Sequence, residues 1–117
     1  MHTVLVVDDH PSFRASARAV LESEGFDVVG EAADGATALA AIAELDPDVV
    51  LLDVQLPDMT GFDVCAALAS RNGSGPAVIL VSSRDAADYG DLLVASGARG
   101  FVPKAELSGE AVSALLA

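Results

Sequence analysis

The stretch Val49-Val50-Leu51-Leu52-Asp53 decides how this chain is read. Four consecutive apolar residues suit a buried strand of a parallel sheet. The run closes on an acid, and packing explains such a carboxylate poorly, because charges are seldom buried unless paired or bound to metal. A second run, Val4-Leu5-Val6-Val7, also ends in acid, at Asp8-Asp9. Val78-Ile79-Leu80-Val81 leads into Ser82, and Phe101-Val102-Pro103 leads into Lys104. Four hydrophobic runs that each end in a polar residue have the layout of an active site.

Between these runs the apolar spacing changes from continuous to helical. Strands are expected at 3–7, 27–30, 48–52, 77–81 and 100–102. Helices are expected at 11–24, 35–45, near 61–70, about 85–95 and 108–116. Pro11 suits the first turn of the first helix and Gly25 its stop, and Asp34 can cap the second. The predicted inner faces are Phe13, Ala17, Val20 and Leu21; then Ala36, Leu39, Ala40 and Ala43; then Phe62, Cys65, Ala66 and Ala69; and last Val112, Leu115 and Leu116. Gly90 weakens the helix over 85–95. Asn72-Gly73-Ser74-Gly75-Pro76 reads as a turn cluster. Five β-then-α units imply an α/β sandwich, a parallel sheet with helices on both faces, in one domain over 1–117. Ligands in such sheets bind beyond the C-terminal strand ends, where strand order reverses. Asp8, Asp9, Asp53, Ser82 and Lys104 therefore share one edge.

Composition narrows the function. The 117 residues are 52% hydrophobic and 21% charged, enough for an ordinary core. A formal net charge of −12, with six scattered basic residues, argues against direct contact with nucleic acid or an anionic membrane. Cys65 is the only cysteine, which excludes an intrachain disulfide and suits a core thiol. With no charged leader and no run of 18 apolar residues, a soluble cytoplasmic protein is expected.

Three carboxylates roughly 5 Å apart repel by about 3 kcal/mol per pair at an effective dielectric of 20. Such a cluster protonates, spreads apart or binds a cation. Oxygen ligands without histidine or cysteine favour a hard divalent ion, Mg²⁺ first. Mg²⁺ completes its shell with water and phosphate oxygens, which points to phosphoryl chemistry. Asp53, at the end of the most apolar strand, is the candidate nucleophile, forming an aspartyl phosphate. Asp8 and Asp9 would hold the metal, Lys104 would neutralise phosphoryl charge, and the Ser82 hydroxyl would donate to a phosphoryl oxygen. His2 and His10 carry no ligand spacing and read as solvated.

In this order the residues resemble the receiver domain of two-component response regulators. The resemblance covers essentially the whole chain and rests on Asp8-Asp9, Asp53, Pro57, Gly61, Ser82 and Phe101-Val102-Pro103-Lys104. It implies a flavodoxin-like (βα)5 sandwich with strand order 2-1-3-4-5. It also implies a histidine kinase partner whose phosphohistidine donates to Asp53, and a homodimer on phosphorylation. Asp9, Asp53 and the backbone carbonyl of Gln55 would be the Mg²⁺ ligands, with Asp8 positioning metal-bound water. Ser82 and Phe101 would be the switch residues that bias the surface of the fourth helix, fifth strand and fifth helix. Transcriptional control through an output domain or partner is the expected result.

Two departures refine the likeness. Many receivers have proline after the lysine; here Ala105 follows Lys104, so a trans bond is expected, and the change favours the LuxR and NarL subgroup, whose receivers often lack that proline. Gln55 and Arg84 flank the path expected for hydrolytic water and should lengthen the phosphorylated lifetime, which phosphate release from Arg84→Ala tests. The final helix is short for this family, which suggests a chain trimmed from a longer regulator. A Mg²⁺-dependent phosphohydrolase is the competing class, but such enzymes typically place the nucleophile on the first strand within Asp-x-Asp, whereas here the acids are adjacent in Val7-Asp8-Asp9 and no insert is long enough to form a substrate pocket. A receiver-like docking module that never takes phosphate is the third reading, and the full acid, serine and lysine set argues against it.

Overall fold

The computed structural model describes residues 2–69 and 75–117. Five strands, β1 (Thr3–Val7), β2 (Asp27–Ala32), β3 (Val49–Asp53), β4 (Ala77–Ser82) and β5 (Gly100–Pro103), alternate with five helices. These are α1 (Pro11–Ser23), α2 (Gly35–Leu45), α3 (Gly61–Ala69), α4 (Asp91–Ala95) and α5 (Gly109–Leu116). The sheet is parallel in order β2-β1-β3-β4-β5, the order that the resemblance implied.

Side chains alternate across each strand, so the core splits into two layers. Val4, Val6, Val49, Leu51, Ile79 and Val81 meet Ala17 and Leu21 of α1 and Val112 of α5 on one face. Leu5, Val7, Val50, Leu52 and Leu80 meet Ala38 and Ile42 of α2 and Val64 and Cys65 of α3 on the other. Because β1 and β3 lack an exposed face, both read as unbroken apolar runs. Their register is pegged at the opposite end from the acids. Asp48 accepts from the backbone N–H of Thr3 at 2.9 Å, and the Asp48 N–H donates to Thr3 Oγ1 at 2.9 Å. From that peg Val7 pairs with Leu52, which brings Asp8 level with Asp53.

Several helix details differ from expectation. The buried face of α2 is Gly35, Ala38 and Ile42, whereas Ala36, Ala40 and Ala43 face solvent. In α3, Val64 joins Cys65 inside, and Ala66 and Ala69 lie outside. Alanine supplies little apolar contrast, so larger neighbours decide which stripe is buried. The helix expected over 85–95 divides into a 3-10 turn, Ala86–Asp88, and the short α4. Gly90 sits at the break with φ +51°. Residue 70 and Asn72, Gly73 and Ser74, the end of the expected third helix and most of the turn cluster, lie outside the described residues. No cis peptide bond occurs among the described residues, so Lys104–Ala105 is trans. None of their helices is long and apolar enough to cross a membrane.

Candidate functional site

Asp8, Asp53, Ser82 and Lys104 converge at the C-terminal edge of the sheet. Asp8 is fully buried, and Asp53 and Ser82 are each 4% exposed. Lys104 lies just past β5 and directs its ammonium inward, 2.6 Å from Asp8 Oδ2 and 3.3 Å from Asp53 Oδ2. Its Nζ also stands 4.5 Å from the centroid of the Phe13 ring on α1, where the ring face favours a cation. Asp9 is exposed and joins Asp53, Gln55, Pro57, Ser82 and Lys104 in lining a cleft of about 330 Å³.

The acids do not cap α1. Its N-cap is His10, which makes no side-chain capping bond, and Pro11 opens the helix. Instead Asp8 Oδ1 accepts from the His10 backbone N–H at 2.7 Å and lies 2.8 Å from His10 Nδ1. The same ring nitrogen is 3.1 Å from Asp9 Oδ1. His10 is solvent-exposed, as its sequence reading expects, yet its ring also borders the acids, which that reading did not anticipate. The signal for it was adjacency to Asp9, which carries no ligand spacing of its own. The Arg14 guanidinium, paired with Glu31 at 3.1 Å, donates to the backbone carbonyl of Asp8 and holds this turn from outside.

Electrostatics separate the two buried acids. Burial pushes the Asp8 carboxyl up, but Lys104 and the two His10 contacts outweigh it and hold it below the usual carboxylate range. Asp53 goes the other way: burial and the neighbouring Asp8 charge raise its pKa, against the pull of Lys104 and the Gln55 N–H. For Lys104, burial is outweighed by the two carboxylates, and its pKa is raised. The protein's own contacts thus favour the charged form of the inner acid and disfavour that of the outer one.

A cation fits this arrangement. Asp8 Oδ2 is buried without a well-aligned hydrogen bond, although the Lys104 charge is close. One ligand atom from each of Asp8, Asp9, His10 and Asp53 lies within 4.8 Å of the others. A metal ion is the simplest group that satisfies carboxylates placed this way.

The β3–α3 loop is tied down at both ends. The Gly61 N–H donates to the carbonyl of Val54 at 2.6 Å, and a Cβ on Gly61 would come within 2.6 Å of the Asp53 carbonyl oxygen. Only glycine allows α3 to start so near the candidate nucleophile. Asp58, in mid-loop, accepts from the N–H groups of Gly35 and Ala36 at 2.8 and 2.9 Å and so caps α2 alongside Asp34. That role of Asp58 depends on tertiary proximity and has no local sequence signal.

Ser82, not the adjacent exposed Ser83, is the buried hydroxyl. Ser82 Oγ accepts from the Arg84 N–H at 3.0 Å and lies 2.6 Å from the hydroxyl of Tyr89. The Tyr89 ring stands between Phe62, edge-on at 5.7 Å, and Phe101 at 5.9 Å. Tyr89 carried no signal in the sequence reading. Phe101 is half-buried at this aromatic cluster, and the Gln55 and Arg84 side chains are exposed. Cys65 is buried, with its thiol pushed up to about 11 by that burial, as suits a core residue.

Known proteins share both sequence and fold with this chain. A family model described as the response regulator receiver domain matches residues 4–115. The DNA-binding response regulator MtrA of Mycolicibacterium smegmatis is 47% identical over 103 residues, which are 86% of this chain and 43% of that protein. The signal receiver domain of a response regulator named NarL from Mycobacterium tuberculosis superposes with a TM-score of 0.88 at 40% identity, over 98% of this chain and 93% of that one. A LuxR-family two-component response regulator from Aurantimonas superposes equally well, TM-score 0.88, at 29% identity over 99% of this chain and 85% of the other. The chain spans about half the length of the curated relatives it matches. These relatives are named as response regulators. With the family model covering nearly all of its length and the 2-1-3-4-5 sheet beneath its acids, the chain belongs to the response regulator receiver domain family.

Proposed function

We propose that residues 1–117 form a single phospho-accepting receiver, in which Asp53 takes a phosphoryl group from a sensor histidine kinase. An Asp53 carboxylate oxygen attacks the phosphorus of a phosphohistidine. The P–N bond breaks as the P–O bond forms, and its electron pair returns to the imidazole, leaving an aspartyl phosphate. Asp9, Asp53 and the backbone carbonyl of Gln55 would hold Mg²⁺, with Asp8 positioning its water, and the bound ion supplies charge neutralisation for the transferring group. Lys104 counters the charge on the phosphoryl oxygens, and Ser82 donates a hydrogen bond to one of them.

The observation that carries this reading is the convergence of Asp8, Asp9 and Asp53, from two distant stretches, with the Lys104 ammonium against Asp8 and Asp53. The raised pKa of Asp53 supports it as the group that gains most from a cation. Turning of Ser82 and Phe101 would then alter the α4, β5 and α5 surface, favour a homodimer, and control an output domain or partner in transcription. Cytoplasmic placement, alongside the kinase, follows from the same reading.

Acetyl phosphate and Mg²⁺ together should add one phosphate to the chain, seen by mass spectrometry. Asp53→Asn should take none, and chelation of Mg²⁺ should stop the reaction. Equal incorporation into Asp53→Asn would overturn the assignment.

A further inference from the structure

Ser82 needs a free hydroxyl to reach a phosphoryl group on Asp53, yet here that hydroxyl is already engaged. Its Oγ lies 2.6 Å from the Tyr89 hydroxyl and also accepts from the Arg84 N–H at 3.0 Å. Tyr89 is itself held in place: its ring is wedged between Phe62 and Phe101, and the Tyr89 N–H closes the 3-10 turn on the carbonyl of Ala86. We propose that Tyr89 is a positioning residue that holds Ser82 in its resting orientation, so that Ser82 can donate to a phosphoryl oxygen only after giving up Tyr89. This rests on the reading of Ser82 as the phosphoryl-binding hydroxyl.

The consequence reaches the surface through a short path. Phe101 has no hydroxyl, so the polar link between site and surface runs through Tyr89 on the neighbouring segment. Behind Tyr89 come Gly90, with φ +51°, and the five residues of α4, where Leu92 is 56% and Val94 84% exposed. A segment this short, with so little apolar burial, opens at low cost. Release of the hydroxyl removes the polar tie to Ser82 and leaves the ring contacts with Phe62 and Phe101 and the backbone bonds of the turn to hold its start. Ser82, Tyr89 and α4 thus form one chain of contacts from the phosphoryl site to the exposed apolar residues.

The chain contains one tyrosine and no tryptophan, so the tyrosine absorption band, at longer wavelength than the phenylalanine bands, reports Tyr89 alone. Beryllofluoride with Mg²⁺ is the probe, its binding followed independently by fluorine NMR. Binding to the parent should shift the tyrosine band as the hydrogen bond breaks, and Ser82→Ala should show no such shift. Tyr89→Phe keeps the ring contacts and loses only the hydroxyl. It should bind beryllofluoride roughly two- to tenfold more tightly, the net worth of one neutral hydrogen bond removed from the resting state. A merely structural role would lower the melting temperature without raising this affinity. Affinity of Tyr89→Phe equal to or weaker than the parent's, or an unchanged tyrosine band in parent with bound beryllofluoride, would overturn the role of Tyr89 alone. No binding to the parent would overturn the phosphoryl-site reading with it.

Discussion

Lys104 is the residue on which the acidic cluster balances. Its Nζ touches both buried acids and lies over the Phe13 ring, so three favourable contacts end with one side chain. Replacing it by methionine keeps the stem and leaves the fully buried Asp8 without its lysine cation, with the His10 contacts alone to hold its charge. Lys104→Met should therefore cost about 2–4 kcal/mol in metal-free urea denaturation, because an unpaired buried charge is worse than none. Mg²⁺ should recover part of that loss, since it replaces the missing charge; a loss that is the same with and without Mg²⁺ would count against a cation site. Single residues also mark the limit of what the sequence discloses. Asp8, Asp53, Ser82 and Lys104 were legible because each ends an apolar run, and the sheet brings such ends together. His10, Asp58 and Tyr89 were not, since each acts on a partner its own neighbours do not announce: a ring nitrogen turned back on two acids, a carboxylate reaching 23 residues to the Gly35 N–H, and a phenol seated on a serine of the preceding strand.

Among the elements, the strands followed their sequence and the helices only partly did. β1 and β3 are buried on both faces, and continuous Val and Leu leave no other reading. In α2, alanines lie on every side, so the buried stripe is chosen by Ile42 and by the fit of Gly35 against Met59, which local spacing does not encode. The break before α4 has a local cause. Gly90 takes φ +51° and ψ −123°, a region that other residues rarely enter. Gly90→Ala should destabilise the fold by about 1–3 kcal/mol. Gly75→Ala, at a position with ordinary φ and open space for a Cβ, should change it by less than about 1 kcal/mol. Comparable losses from both would mean that backbone strain at Gly90 is not the cause of the break. Asp58 joins two elements, and its contribution depends on pH. The N–H groups of Gly35 and Ala36 hold its carboxyl below the usual carboxylate range. A carboxylate depressed in the folded state stabilises fully above its unfolded pKa of about 4 and loses that contribution as pH falls through the folded value. Asp58→Ala should thus melt below the parent at pH 7, and the two melting curves should converge as the pH is lowered beneath 4. A gap that persists at pH 2 would mean that the deficit arises from something other than this charged cap.

For the whole molecule, the dominant fact is charge: 18 acidic residues against 6 basic give −12, and part of that excess is concentrated at the sheet edge beside Asp8, Asp9 and Asp53. Such a molecule repels itself, and any salt relieves the strain by screening over about 10 Å at 0.1 M. A rise in melting temperature with MgCl₂ is therefore not evidence of a site by itself. The two effects separate on both concentration and location. Screening tracks ionic strength, so NaCl at matched ionic strength should reproduce it, and it should survive in variants that lack one acid. Site binding saturates: at ten times its dissociation constant a ligand that ignores the unfolded chain adds about 1.4 kcal/mol. For a domain of this size that is a rise of roughly 5 °C in Tm. The expected result is a saturable rise with MgCl₂ beyond that of matched NaCl, most of which is lost in Asp9→Asn. Asp9 is the variant of choice because it is exposed and ties no strand in place, so its loss should leave the metal-free melting temperature near that of the parent. Identical curves in MgCl₂ and matched NaCl would reduce the acidic edge to surface charge, and the phosphoryl chemistry proposed for Asp53 would lose the cation it depends on.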